Sequence, residues 1–107
     1  MIPTKIICEI CEFIEDELEG VERYASAAAR YKAEYKDLAD LLFGMANTEA
    51  THLKNLHAWL AKNVERIKRE SGERVPQGML DVWDWEHKKL IKRFNEAEVV
   101  LQNYQKL

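Results

Sequence analysis

Only two prolines and four glycines interrupt the 107-residue chain, so few places are available to break a helix. Two cysteines in a chain of this length do not make a disulfide framework. No apolar run approaches the roughly 18 residues that a membrane span needs. Basic residues are not in excess. The net charge is −3 and the pI about 5.6, which excludes a general basic surface for nucleic acid. The opening "MIPTKIICEICEFIEDEL" turns acidic by Glu9 and lacks the apolar core of a secretory signal, so a cytoplasmic location is expected. There is no internal repeat beyond helix periodicity and no low-complexity segment.

What remains is 47% hydrophobic and 33% charged, a mixture that suits long amphipathic helices in one domain spanning residues 1–107. The clearest break is "SGERVPQG", where Gly72 can end one helix and Pro76 open the next. A weaker break lies at "YKAEYKD", with Asp37 as N-cap and Asp40 three residues on, in the manner of a capping box. The expected fold class is therefore all-α: three long antiparallel helices over about residues 4–33, 37–70 and 77–106.

A 100° step per residue places Ile6, Ile10, Phe13, Ile14, Val21, Tyr24, Ala28 and Tyr31 on the apolar face of the first helix, with Glu17 at its centre. The second helix carries Leu38, Leu42, Met45, Leu53, Leu56, Leu60 and Ile67, with Glu49 at the centre and His52 inside one edge. The third carries Trp83, Leu90, Phe94, Ala97 and Leu101, with His87 within the face and Glu98 toward its edge. Hairpin register tests whether the polar positions meet. With a turn near residue 35, Glu17 lies about 18 residues before it, and Glu49 and His52 lie about 14 and 17 after it. These levels agree within about one helical turn, so the three side chains are expected to converge.

A buried carboxylate needs a partner. One reading is a buried ion pair, but no Lys or Arg falls on the expected core faces. A second is a protonated glutamate bonded to a tyrosine or histidine, and Tyr24 is available one heptad after Glu17. A third is a loose bundle in which the glutamates reach water. The fourth is a metal site, because residues at i and i+3 project from one side of a helix and a carboxylate and an imidazole there can hold one ion. Mixed oxygen and imidazole donors suit iron, manganese or zinc better than calcium or magnesium.

"EDELEGVERY", with Glu17 and Tyr24, and "EATHLKNLHAWL", with Glu49 and His52, resemble the ferritin-like proteins of the rubrerythrin kind, including the encapsulated ferritins. The likeness covers about residues 10–60. It implies a ferritin-like helical bundle that binds iron as a carboxylate-bridged di-iron centre reactive toward oxygen or peroxide. On that resemblance Glu17 is a terminal ligand, Glu49 a bridging carboxylate, His52 a terminal imidazole ligand and Tyr24 an outer hydrogen-bond partner. The chain departs from the family in having three helices and no second Glu-x-x-His. Either two chains each donate a half-site across a twofold axis, in a homodimer or larger homo-oligomer, or the third helix completes a smaller site through His87 or Glu98. Register disfavours His87, for which a locally bonded core histidine is the simpler reading. Glu98 is nearer the right level but reads as a solvated or ion-paired edge residue.

Three other features stand out. Cys8 and Cys11 form a C-x-x-C within the first helix, with Cys8 opposite the core face and Cys11 on its flank, and packing accounts for them more simply than redox or metal chemistry. Val82, Trp85, Val99 and Val100 make a second apolar strip on the third helix, which points to self-association. His57 lies off the core centre and reads as ordinary. The rival function class is a non-catalytic helical interaction protein that associates through this third-helix strip.

Overall fold

The computed structural model describes residues 4–71 and 77–106, and within them the chain is an all-α bundle of three helices. They are α1 (Thr4–Tyr31), α2 (Lys36–Ser71) and α3 (Gln77–Lys106), each antiparallel to the next. The 36 residues of α2 span about 54 Å at 1.5 Å per residue. That sets the long dimension of a molecule measuring 57 × 19 × 16 Å. Among the described residues no helix is long and apolar enough to cross a membrane. The break expected at Gly72 and Pro76 lies outside the described residues.

The turn between α1 and α2 is closed by the Tyr35 N–H, which donates to the Tyr31 carbonyl at 2.8 Å. The Tyr35 carbonyl then accepts the first bond of α2, from the Ala39 N–H at 2.9 Å. Tyr35, not Asp37, therefore holds the N-cap position. Asp37 sits in the first turn, where its Oδ1 accepts from the Leu38 N–H at 2.9 Å and its charge suits the positive end of the helix. Asp40 does not complete a capping box. It accepts from Lys36 Nζ at 2.7 Å and from the Tyr104 hydroxyl at 2.6 Å.

The buried residues of α1 are Ile7, Ile14, Leu18, Val21, Ala25 and Ala28. Their spacing alternates between three and four, or sums to seven, which is the seam of an antiparallel coiled coil. α2 answers with Ala39, Ala46, Ala50, Leu53 and Leu60, and α3 with Ala97, Leu101 and Tyr104. Large side chains fill the end near Ile7 and Leu60. Alanines fill the middle, and toward the turn the packing closes on Ala28, Ala39 and Tyr104. There the Tyr104 ring stacks on Phe43, with centroids 4.5 Å apart.

This seam corrects the expected core faces. Ile6, Phe13, Tyr31, Leu38 and Met45 are exposed, and Glu17 and Glu49 lie half-buried at the edge of the seam rather than at its centre. The reason is the alanines. Five of them on α1 and α2 (Ala25, Ala28, Ala39, Ala46 and Ala50) bury little area each but allow close backbone approach, and they draw the buried arc toward themselves. Leu90 and Phe94 are half-buried on α3, as expected, while the side chains of Trp83 and Ile67 lie outside the described residues.

Candidate metal centre

Glu17 on α1 and the Glu49–His52 pair on α2 meet at one level of the hairpin. A carboxylate oxygen from each glutamate and a ring nitrogen of His52 all lie within 4.8 Å of one another. Among the described residues this is the one group of three or more His, Cys, Asp or Glu side chains so arranged. The i, i+3 spacing of Glu49 and His52 puts both on one side of α2, and the antiparallel register brings Glu17 to face them.

The Oε2 atom of Glu17 is fully buried and has no hydrogen-bond partner. His52 Nδ1 stands 3.6 Å from it, beyond hydrogen-bond reach. An unsatisfied buried carboxylate oxygen is costly, and such an atom in a native fold asks for an explanation such as an ion. Among the described residues no Lys or Arg supplies it. Lys54 Nζ lies 3.2 Å from Glu98, Lys32 Nζ donates to the Tyr104 carbonyl at 2.5 Å, and Arg93 donates to Glu22 at 2.6 Å. Two carboxylates held this closely repel one another when ionised, and a cation between them reverses the sign of the interaction.

Gly20 completes the local design. A Cβ at this position would lie 3.3 Å from Cγ, Cδ and Oε2 of Glu49. The glycine therefore clears the space on α1 into which the Glu49 carboxylate extends, although glycine inside a helix costs about 1 kcal/mol relative to alanine. Sequence reasoning missed it; the available signal was an isolated glycine three residues after Glu17 in an otherwise unbroken helical pattern. The site opens onto a groove of about 460 Å³ lined by Phe13, Asp16, Glu17, His52, Asn55 and Leu56. His52 is half-exposed there, so small solutes reach the imidazole directly.

The other candidates fall elsewhere. Tyr24 packs half-buried against the Val21–Ala25 layer, and no hydrogen bond joins its hydroxyl to either carboxylate among the described residues. Seven residues are about 10 Å of helix, which separates it from Glu17. Glu98 pairs with Lys54, as an edge glutamate should. His87 does not reach the cluster. It meets His57 edge to edge, with ring centroids 4.6 Å apart and its Nε2 in direct contact with the Nε2 of His57. His57, read as ordinary from the sequence, is thereby half of a cross-helix pair. Cys8 is an exposed free thiol. Cys11 is a half-buried one, and burial first, then the nearby Cys8 and Glu86, raise its pKa. A raised thiol is a poor nucleophile, in keeping with a packing role. Trp85 is 59% exposed with Lys89 Nζ 4.1 Å above its ring, and Val99 and Val100 are exposed beyond it; the Val82 side chain lies outside the described residues.

The fold and site define a class: a three-helix bundle with a carboxylate–imidazole cluster at the edge of its core. Comparison with family models, curated proteins and solved structures finds no match to this chain.

Proposed function

We propose that this chain is a ferritin-like metal-binding protein that holds iron through Glu17, Glu49 and His52, with manganese or zinc as substitutes. The observation that carries the reading is the convergence of these three donors around a buried, unpartnered Glu17 oxygen. Two carboxylates and an imidazole are a donor set suited to these ions. Glu17 and Glu49 supply the charge that holds a cation, His52 supplies a neutral nitrogen, and Gly20 keeps Glu49 free to reach inward. Iron bound there would supply oxidation of Fe(II) by oxygen or peroxide. The groove at Phe13 and His52 gives such an oxidant its access. We read the protein as cytoplasmic, where its two free thiols remain reduced.

Three ligands from one chain make half of a di-iron centre, and we assign the other half to a second copy. The support lies in the surface around the cluster. Leu38, Met45, His52 and Trp59 recur every seven residues on α2 and all are exposed. Ile6 and Phe13 continue the stripe on α1. A heptad stripe left open on a hairpin is the seam a second helical pair would fill, and the metal donors stand in the middle of it.

Metal analysis of the purified chain, followed by Fe(II) titration of the unmutated protein and of Glu49→Ala and His52→Ala, tests the reading. It expects bound iron in the first and its loss in both variants. An unmutated chain that neither carries nor binds iron, manganese or zinc would end it. A monomer that holds two irons would contradict the shared centre. The second reading, a non-catalytic interaction protein, draws on the exposed Trp85, Val99 and Val100 on α3.

A further inference from the structure

We propose that His57 and His87 form a second metal site, distinct from the carboxylate cluster, in which two imidazoles take a borderline divalent ion such as Zn²⁺ or Cu²⁺ and clip α3 to α2. The two histidines come from different helices, both are half-buried, and their Nε2 atoms face each other in direct contact. Their rings lie 29° from parallel. A neutral imidazole has one ring N–H and one lone pair. Two facing Nε2 atoms are compatible only if one carries the proton and donates to the other, or if a cation receives both lone pairs. The second arrangement is the geometry of a chelate, and neutral Nε2 is the commonest protein donor to such ions. Zinc–nitrogen bonds of about 2.0–2.1 Å place two tetrahedral donors about 3.3 Å apart, a separation that a modest rotation of both side chains provides.

The position gives the site a use. Among the described residues, α2 and α3 are tied near the turn by Tyr104 with Asp40 and Phe43, and midway by Lys54 with Glu98. The histidine pair stands beyond these, toward the start of α3. An ion there adds a fastening between α2 and α3 on the far side of Lys54 and Glu98 from the turn. The site is also independent of the first. His57 follows His52 by five residues, which is about 7 Å along the axis and about 140° around the helix. One site therefore looks into the groove and the other into the seam with α3. No third donor from the described residues joins the pair. An ion held by these two imidazoles is exchangeable rather than locked in.

The test uses the full chain without a histidine tag, stripped of metal by a chelator. In the Glu49→Ala/His52→Ala variant, which lacks the first site, one equivalent of Cu²⁺ is expected to bind. Its paramagnetic resonance spectrum is expected to show coupling to two imidazole nitrogens, and Zn²⁺ is expected to raise Tm in a concentration-dependent way. Adding His57→Gln or His87→Gln should abolish that equivalent and the Tm rise while helicity is kept. Binding that survives both additions, or no binding in the starting variant, would overturn the proposal. If a variant fails to fold, ring-nitrogen NMR of the unmutated chain decides. Zn²⁺ should shift the Nε2 resonances of both His57 and His87, and resonances that stay in place under excess Zn²⁺ would overturn it. Because the first site is read separately by Fe(II) titration, either proposal can fail while the other stands.

Discussion

At the scale of single residues, the unpartnered oxygen of Glu17 separates two accounts of the cluster. If the Glu17–His52 contact were a structural ion pair, removing the charge would destabilise the fold. If the cluster exists to hold a cation, the carboxylate is a liability in the metal-free chain. The second account predicts that Glu17→Gln, measured by urea unfolding in chelator, is at least as stable as the unmutated protein, because the amide keeps the shape and removes the charge that repels Glu49. The same variant should lose the stabilisation that added metal confers on the unmutated chain. Loss of stability in chelator would favour the ion pair. Gly20 offers a complementary experiment. Gly20→Ala should gain up to about 1 kcal/mol of helix propensity, while its Cβ, 3.3 Å from three atoms of Glu49, displaces that carboxylate by a few tenths of an ångström. The expected result is a metal-free chain that melts higher and a metal affinity that falls; unchanged affinity would show that Glu49 adapts freely. Glu17, Glu49 and His52 were legible in the sequence because register along two helices depends only on rise per residue. Gly20 and the partner of His87 were not, because they depend on which side of each helix faces which neighbour.

At the scale of elements, the helices themselves were the most legible feature. All six observed ends fall within two residues of the expected ones, since a 3.6-residue period and scarce breakers leave little freedom. The orientation of each helix was less so. Counting large side chains placed Phe13 and Met45 inside, whereas the alanine seam turned them out. Near its C-terminal end α3 is held by Leu101 in the alanine layer and by Tyr104. Tyr104, 4% exposed, stacks on Phe43, donates to Asp40 on α2, and lends its carbonyl to Lys32 beyond α1. Burial, followed by the bond to Asp40, pushes its pKa up to about 12 from 10. The sign follows directly. Between those values the unfolded chain ionises Tyr104 and the folded chain does not, so the stability it contributes is full below pH 10 and is lost as pH rises toward 12. Asp40 is shifted the other way, its pKa lowered by the bonds from Lys36 and Tyr104, so its contribution is lost only as pH falls through the acid range. Tyr104→Phe should therefore flatten the loss of stability between pH 10 and 12, as followed by circular dichroism, while shifting the acid limb upward. An alkaline limb as steep as that of the unmutated chain would show that other groups govern it.

At the scale of the whole molecule, the sequence pointed to self-association but placed it on α3, while the fold exposes two apolar surfaces. One is the Trp85, Val99 and Val100 strip. The other is the heptad stripe of Leu38, Met45 and Trp59 on α2, with Ile6 and Phe13 on α1, around the Glu17–Glu49–His52 cluster. The second was hidden in the sequence because helix periodicity places Ile6, Phe13, Leu38 and Met45 on the core faces. The two surfaces predict different assemblies, and a pair of charged substitutions tells them apart. Trp59 lies seven residues beyond His52, about 10 Å along the axis, so a lysine there cannot reach the metal donors. Being 41% exposed, it is a surface substitution expected to change monomer stability by no more than about 0.5 kcal/mol unless the side chain is covered by another copy. In an assembly that seals the stripe, Trp59→Lys would bury an ammonium against apolar side chains, at a cost that a dimer cannot absorb without a partner charge. The shared-site reading therefore predicts that sedimentation of the iron-loaded unmutated chain gives a dimer or larger species, and that Trp59→Lys gives a monomer with less iron per chain and unchanged helicity. Trp85→Lys should leave both the assembly and the iron content intact. The reverse pattern, with association abolished at Trp85 and untouched at Trp59, would move the interface to α3, leave each metal site with the three ligands of one chain, and favour the interaction-protein reading over the shared centre.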